Sequence, residues 1–261
     1  MLSRSLPWLA GMLAALSIAA ALAVLWRADS GVITERAWLG PTPVTVFRPE
    51  AGLRANPGVQ WEEDRLGGLP VVIVSHGFAG SQQLMQAFAV TLARNGYLAV
   101  TFDYYGHGRN LEPLAGDVTK VEGATRNLLE QTREVANYAL DHPAAGDGLA
   151  LLGHSMASDI IVRLAASDPR VEATVAVSLF SPAVTAESPD NLLVVVGNLE
   201  GFLKEEALRV VGLVTGEPQA GVTVGDFEAG TARRAVFAPA VEHVGVLYSP
   251  TALRETVQWL D

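Results

Sequence analysis

The chain contains no cysteine, which excludes thiolate nucleophiles, disulfide bonds and zinc–thiolate centres. Basic residues are also few: 18 lysines and arginines stand against 28 acidic residues, and the formal net charge is −10. A nucleic-acid partner is not expected, because phosphate binding requires a basic face and no basic run occurs. Of the 261 residues, 49% are hydrophobic and 18% are charged, a composition that suits one large packed domain and argues against disorder.

One long apolar run lies at the N-terminus, where no charge occurs between Leu6 and Trp26. At about 1.5 Å per residue a helix over this run matches a bilayer core of roughly 30 Å. Trp8 and Trp26 stand near its two ends, where interfacial aromatic residues belong. We therefore predict a membrane anchor over residues 1–29, with the lipid bilayer contacted through residues 6–26, and one domain over residues 30–261.

The charges beside this run predict its orientation. Arg4 and the amino terminus outweigh Arg27, so the N-terminus is expected in the cytoplasm and the domain on the periplasmic or extracellular side. The alternative is a cleaved signal peptide with its small-residue exit near Ala21 and Ala23, which would release a secreted protein.

The rest of the chain alternates strand and helix patterns. Two short strands over residues 31–39 and 42–47 suggest an antiparallel start, and Val71–Val74 has the continuous β-branched pattern of a central parallel strand. The alternation that follows predicts an α/β fold with a doubly wound, mostly parallel sheet. The connection over residues 180–191 is too short for a large cap domain, so an open site is expected.

A candidate nucleophile follows the predicted buried strand Leu149–Leu152. The sequence Gly153-His154-Ser155-Met156-Ala157 places small residues two positions before and two after Ser155, as a strained strand-to-helix turn requires. Such a turn lifts the serine hydroxyl from the sheet and directs helix N-terminal N–H groups toward a developing oxyanion. The alternative is a serine that only caps the following helix.

A serine nucleophile needs a base, and a histidine is the expected one. Of the five histidines, His243 falls between the last predicted strand and the last helix, where the base is expected. His142 is interpreted as a surface residue, and His107 as a residue of a glycine-rich loop. A loop histidine with only a backbone hydrogen bond remains the alternative for His243.

The acid that orients the base is expected between the serine and the histidine, after a strand. Glu200 meets this requirement, because it lies three residues beyond the glycine that ends the strand pattern 193–197. Asp226 is the alternative acid and Glu228 a weaker third. Glu200 could instead be a favourable charge at a helix N-terminus.

Two backbone N–H groups are expected to form an oxyanion hole. Met156 follows the nucleophile, and Phe78 lies in the small-residue turn Ser75-His76-Gly77-Phe78-Ala79-Gly80 after the predicted central strand. Gly77, Phe78 and His154 are the candidate substrate-binding residues. The alternative is that the glycines only form a tight turn into the next helix.

Five motifs now occur in a recognisable order: HGFAG, FDYYGHGR, GHSMA, GNLE and EHVG. Over about residues 30–261 this order resembles the α/β-hydrolase superfamily, in its bacterial esterase-like group. The resemblance implies the roles of nucleophile, acid and base for Ser155, Glu200 and His243, and structural roles for Asp103 and Arg109. Two features depart from the family pattern, namely Ala157 in place of glycine and glutamate in place of aspartate as the acid.

These observations predict a serine hydrolase that cleaves small-molecule carboxylic esters through an acyl-enzyme intermediate. Short acyl chains are expected because no cap covers the site, and neither a metal nor an organic cofactor is expected. Acyl transfer by the same triad and a non-catalytic, membrane-anchored binding module on the same fold are the alternatives. Ser155 excludes the acidic nucleophile of a dehalogenase or epoxide hydrolase. Peptidase activity stays open, although no specificity feature of the sequence supports it.

Overall fold

The computed structural model describes residues 6–28, 30–50, 68–117 and 120–261. These residues form one mixed sheet flanked by helices. In chain order its strands are β1 Val32–Leu39, β2 Thr42–Pro49, β3 Leu69–Ser75, β4 Leu98–Phe102, β5 Ala145–His154, β6 Val171–Val177, β7 Leu192–Gly197, β8 Thr223–Val224 and β9 Arg233–Ala238. The α-helices are α1 Leu6–Ala28, α2 Gln86–Arg94, α3 Arg126–Leu140, α4 Met156–Ala165, α5 Gly201–Gly212 and α6 Pro250–Leu260.

The sheet order is β1-β2-β4-β3-β5-β6-β7-β9-β8. From β4 to β9 the neighbouring strands are parallel, whereas β1, β2 and β8 pair antiparallel at the two sides. The predicted mostly parallel, doubly wound α/β sheet is therefore confirmed, and so is its antiparallel start. The carboxyl ends of the parallel strands meet at one edge, which is where such sheets carry their sites.

Both faces of the central strands are covered, which explains their continuous apolar sequence. In β3, Val72 and Val74 pack in the core cluster that includes α2 and α6, while Val71 and Ile73 pack in the cluster that includes α3 and α4. All four of these side chains have no solvent-exposed surface. At about 1.5–3 kcal/mol for each fully buried valine or isoleucine, this strand is a main contributor to the stability of the core.

Two short elements lie beside turns. β8 has only two residues, because Gly225 adopts a φ of 80° and Asp226 turns the chain by a bond from its N–H to Thr231 Oγ1. The chain enters α2 through a 3₁₀ turn over Gln82–Met85, and the Ser81 side chain makes no capping hydrogen bond.

The N-terminal prediction needs a correction. Leu6–Ala28 is a single helix, and its eight alanines explain this on local grounds, since alanine is the best helix former. Among the described residues, however, no helix has the length and apolarity needed to cross a membrane, so the predicted transmembrane helix is not supported. The location of the domain outside the cytoplasm, the contact with a lipid bilayer and the boundary between residues 1–29 and 30–261 stay predictions.

The connection between β6 and β7 bears on access to the sheet edge. Residues 178–191 contain neither a helix nor a strand, and the only cis peptide bond in the described chain, Ser188–Pro189, lies here. No cap is inserted at this position, in agreement with the length of the connection in the sequence. The carboxyl ends of β6 and β7 are consequently left without a covering layer from this segment.

Candidate active site

Ser155 lies at a sharp turn between β5 and α4. Its φ is 53° and its ψ −117°, a left-handed conformation that a non-glycine residue adopts only at a cost. The turn is tight because a Cβ on Gly153 would lie 2.7 Å from the carbonyl oxygen of Ala157. Ala157 itself is fully buried, so its extra methyl group is accommodated by packing. The predicted strand–turn–helix setting of Ser155 is therefore present.

The structure brings together three of the predicted residues from separate loops. His243 Nε2 lies 2.8 Å from Ser155 Oγ, and His243 Nδ1 lies 2.5 Å from Glu200 Oε1. The Glu200 side chain is only 6% exposed, whereas the His243 side chain is 43% exposed. The carboxylate is thus enclosed, and the imidazole stands between it and an accessible hydroxyl. A serine hydroxyl, a histidine and a carboxylate in this order form a hydrogen-bonded triad, in which the histidine can take the proton of the serine while the carboxylate orients the ring.

Glu200 follows β7, and the carboxylate oxygen that does not face His243 accepts two further hydrogen bonds. Its Oε2 accepts from the Gly197 N–H at 2.6 Å and from Ser178 Oγ at 2.8 Å, while Oε1 faces His243. The alternative acid, Asp226, is exposed and accepts a bond from the Ala229 N–H in its own turn. Glu228 is exposed in the same turn. Glu200 is therefore the carboxylate that contacts the imidazole.

The loop after β3 lies directly against Ser155. A Cβ on Gly77 would come within 3.0 Å of Ser155 Cβ and 2.9 Å of His154 Nδ1, so only glycine permits this approach. The next residue, Phe78, has a side chain 69% exposed, and its ring contacts that of His107 edge-on at 5.4 Å. Met156 opens α4, where the first N–H groups of a helix have no intrahelical acceptor. Both predicted oxyanion donors thus belong to segments that adjoin Ser155.

His154 packs inside the site rather than facing an open cleft. Its Nε2 donates a hydrogen bond to the carbonyl oxygen of His243 at 2.9 Å, and the two rings lie 4.7 Å apart. Burial, reinforced by the neighbouring His243, lowers the pKa of His154 from 6.5 to about 4, so this imidazole is neutral near pH 7. The contact between His154 and His243 was not predicted from the sequence.

His76 joins two loops of the site. Its Nδ1 donates to the carbonyl oxygen of Gly77 at 2.8 Å, and its Nε2 accepts from the Tyr104 N–H at 3.0 Å. One donating and one accepting nitrogen define a neutral imidazole. Burial lowers the pKa of His76 to about 4, which keeps it neutral. The bond to the Gly77 carbonyl oxygen fixes the orientation of the peptide group that also contains the Phe78 N–H, one of the predicted oxyanion donors.

The remaining predicted residues lie outside the hydrogen-bonded set of Ser155, His243 and Glu200. His107 Nδ1 donates to the carbonyl oxygen of Tyr105, and His142 Nε2 lies 3.5 Å from Glu35. Asp103 is fully buried and accepts bonds from the N–H groups of Gln82 and Arg109. The structural placement that the resemblance implies for Asp103 and Arg109 agrees with these bonds.

Two residues of the site were not predicted from the sequence. Ser178 contacts Glu200, and Glu242 accepts hydrogen bonds from the N–H groups of Val244 and Gly245 and so shapes the loop that carries His243. These two bonds lower the pKa of the Glu242 carboxyl. The position of Ser178 directly after a parallel strand is a signal that could have identified it, because functional groups gather there.

Comparison with known proteins supports the fold. A hydrolase from Thermoplasma acidophilum, assigned as CIB-like by prediction, is similar with a TM-score of 0.62 at 14% identity, covering 88% of this chain and 99% of its own. A bacterial membrane phospholipase A has a TM-score of 0.58 at 14% identity, with 98% of each chain covered. TT1662 from Thermus thermophilus has a TM-score of 0.54 at 19% identity, covering 88% and 96%. No curated protein matches the chain.

The likeness to these structures concerns the fold alone, because the identities are low. A family match adds to it: the family described as serine aminopeptidase, S33, matches residues 69–213. This span covers more than half of the chain and includes Ser155 and Glu200. With the sheet order and the turn at Ser155, it shows that the chain belongs to this S33 family of α/β hydrolases and is a hydrolase.

Proposed function

We propose that the protein is a serine hydrolase that cleaves carboxylic esters through an acyl-enzyme intermediate. The observation that carries the proposal is the continuous contact from Ser155 Oγ through both ring nitrogens of His243 to Glu200 Oε1. A serine hydroxyl is a weak nucleophile, and a base within hydrogen-bond reach that is itself oriented by a carboxylate is what activates it.

In the first half of the proposed reaction, Nε2 of His243 takes the proton of Ser155 as Oγ attacks the ester carbonyl carbon. The Phe78 and Met156 N–H groups stabilise the negative charge on the carbonyl oxygen. As the tetrahedral intermediate collapses, the carbon–oxygen bond to the alcohol breaks and the imidazolium gives its proton to that oxygen. The alcohol leaves, and the acyl group remains on Ser155.

In the second half, Nε2 takes a proton from water, whose oxygen attacks the acyl carbonyl carbon. The second intermediate collapses by breaking the bond to Ser155 Oγ, which regains a proton from the imidazolium. The acid is released and the free serine is restored. Glu200 orients the ring and stabilises the imidazolium in both halves without itself taking a proton.

The surroundings of the triad favour esters over the aminopeptidase substrates that give the family its name. An aminopeptidase must bind a substrate ammonium group, and a free carboxylate near the serine is the natural partner for it. Among the described residues, the two carboxylates nearest His243 in these contacts already have other partners: Glu200 binds His243 and Ser178, and Glu242 binds two backbone N–H groups.

The test is a fluorophosphonate probe combined with a substrate panel on the full chain. The panel contains p-nitrophenyl esters of increasing acyl length and amino-acyl p-nitroanilides. The variants are Ser155→Ala, His243→Ala, Glu200→Ala and, as the matched carboxylate control, Asp226→Ala. We expect labelling and ester hydrolysis in the wild type, loss of hydrolysis by roughly 10³-fold or more in the first two variants, and no change in Asp226→Ala.

Other outcomes would redirect the proposal. Activity retained in Glu200→Ala and lost in Asp226→Ala would overturn the acid. Faster turnover of p-nitroanilides than of esters would replace the ester substrate by a peptide. If added alcohols take the acyl group in preference to water, the protein is an acyltransferase with the same triad. Failure of Ser155 to react in folded protein would leave a non-catalytic binding module.

A further inference from the structure

Ser178 makes a direct contact with the carboxylate of Glu200. It is the first residue after β6, it is 2% exposed, and its Oγ donates a hydrogen bond to Oε2 at 2.8 Å. Its own N–H donates to the carbonyl oxygen of Val195 in β7 at 2.7 Å, so the residue is anchored to the strand that leads to Glu200. The hydroxyl is therefore fixed relative to the carboxylate from a different element of the sheet.

The backbone of Ser178 has an unfavourable conformation. Its φ is 56°, in the left-handed region that favours glycine, yet the residue carries a side chain. Residues held in this region cost free energy and persist where the surrounding structure or a function requires them. A glycine would fit the backbone better, but it would leave Oε2 with the Gly197 N–H alone among the partners that the structure describes.

The two oxygens of the Glu200 carboxylate have different partners, because two donors bind Oε2. Gly197 approaches from the turn and Ser178 from β6, and together they leave Oε1 as the oxygen that faces His243. Hydrogen bonds to a charged acceptor are stronger than those to a neutral one. Rotation of the carboxylate about its last side-chain bond would break both bonds and move Oε1 away from Nδ1.

We propose that Ser178 is a positioning residue, whose hydroxyl fixes the Glu200 carboxylate so that Oε1 stays aligned with Nδ1 of His243. The inference rests on the proposed function. Ser178 acts through Glu200, and among the described residues its hydroxyl has no hydrogen bond to Ser155 or His243. Its loss should therefore lower kcat and leave KM nearly unchanged, because only the step that needs the oriented imidazole is affected.

The experiment compares Ser178→Ala and Ser178→Gly with the wild type in an ester hydrolysis assay. Both variants remove the hydroxyl, but alanine keeps the unfavourable backbone conformation and glycine relieves it. We expect kcat to fall roughly 10–100-fold in both, with a shift of the low-pH limb of the kcat/KM profile. The melting temperature of Ser178→Gly should equal or exceed that of Ser178→Ala, which separates the loss of activity from a loss of stability.

Ser181→Ala is the matched control. Ser181 is also buried in the segment after β6, and its Oγ donates to Asp159, a carboxylate outside the triad. We expect this variant to lower the melting temperature without moving kcat or the pH profile. Because Ser178→Gly relieves backbone strain, it supplies a folded variant if Ser178→Ala does not fold.

The outcomes separate this inference from the proposed function. Active wild type, inactive Ser155→Ala and unchanged kcat in both Ser178 variants would overturn the positioning role alone. A wild type that hydrolyses no ester and does not react with the fluorophosphonate would overturn both. A fall in activity that tracks melting temperature across Ser178→Ala, Ser178→Gly and Ser181→Ala would also overturn it, since that is the behaviour of a purely structural residue.

Discussion

The Nε2 of His154 lies 2.9 Å from the carbonyl oxygen of His243 and donates a hydrogen bond to it. The residue before the serine thus holds the backbone of the residue that contacts the serine hydroxyl. Removal of this donor should allow the His243 loop to move relative to Ser155. Because the bond involves only the Nε2 nitrogen, another side chain of similar length that ends in a hydrogen-bond donor should preserve it.

We expect His154→Ala to lower kcat about tenfold, a change that corresponds to about 1.4 kcal/mol in the barrier. His154→Gln should retain most of the activity, since its terminal amide can donate from a similar position. Steady-state kinetics on a short-chain ester provide the measurement, and His142→Ala, which lies away from the triad beside Glu35, is the control. Equal loss in His154→Ala and His142→Ala would contradict the prediction.

The two buried histidines predict a loss of stability in acid. The pKa of His76 and that of His154 are each lowered by burial to about 4 in the folded protein, against an ordinary value of 6.5. As the pH falls, the unfolded chain takes up these protons first. The stabilisation is therefore complete above pH 6.5 and is lost as the pH falls toward 4, by on the order of 2–3 kcal/mol per histidine.

Urea unfolding at a series of pH values between 7 and 4 measures this loss. In His154→Gln the replaced group does not titrate, so the free energy of unfolding should fall less steeply with pH than in the wild type. An identical slope in the wild type and in this variant would show that His154 does not contribute.

Gly197 allows the side chain of Glu200 and the loop before His243 to come together. A Cβ at this position would lie 2.6 Å from the carbonyl oxygen of Val241, 3.0 Å from Glu200 Oε2 and 3.0 Å from the carbonyl oxygen of Glu242. We expect Gly197→Ala to destabilise the protein by about 1–3 kcal/mol and to lower kcat, because the loop before His243 must move away from Glu200.

Gly201 offers a matched comparison four residues on. A Cβ there would meet nothing within 4 Å, and the residue begins α5. Gly201→Ala should leave activity unchanged and the melting temperature unchanged or slightly raised, since alanine favours the helix. Thermal unfolding and ester kinetics on both variants provide the test, and similar effects of the two substitutions would contradict the steric argument.

The connection over residues 178–191 forms no cap over the carboxyl ends of β6 and β7, and this predicts how kcat/KM depends on the length of the acyl chain. Each methylene group that leaves water contributes about 0.8 kcal/mol to binding, but a group that stays in solvent contributes nothing. We therefore expect kcat/KM to level off or fall beyond butyrate. A steady increase up to long-chain esters, measured below the concentration at which they aggregate, would show that an apolar surface buries the chain.

The sequence was sufficient to predict the sheet and the strand–turn–helix at Ser155, because both depend on local patterns. Val71–Val74 is apolar because both faces of β3 are covered, and Gly153 and Ala157 are small because the turn at Ser155 is tight. These constraints act over a few residues. They can be recognised without knowledge of the tertiary structure.

Contacts between residues far apart in the chain could not be predicted from local patterns. Ser178 and Glu200 are 22 positions apart, and nothing in the sequence around Ser178 shows that its φ is positive or that its hydroxyl faces a carboxylate. The sequence favoured Glu200 over Asp226, but it left both open, because only the folded loops show which carboxylate reaches His243. The membrane prediction failed to find support because apolar length alone does not distinguish the possible roles of an alanine-rich helix.

The attachment of α1 has a consequence for handling the protein. The Arg94 guanidinium donates to the carbonyl oxygens of Arg27, Ala28 and Ser30, where the helix leads into β1. Arg94 ends α2 just before β4 begins, so this contact lies where the parallel strands start, whereas Ser155 lies where they end. A molecule coupled to a bead or sensor chip through its N-terminal helix would therefore present Ser155 toward the bulk solution.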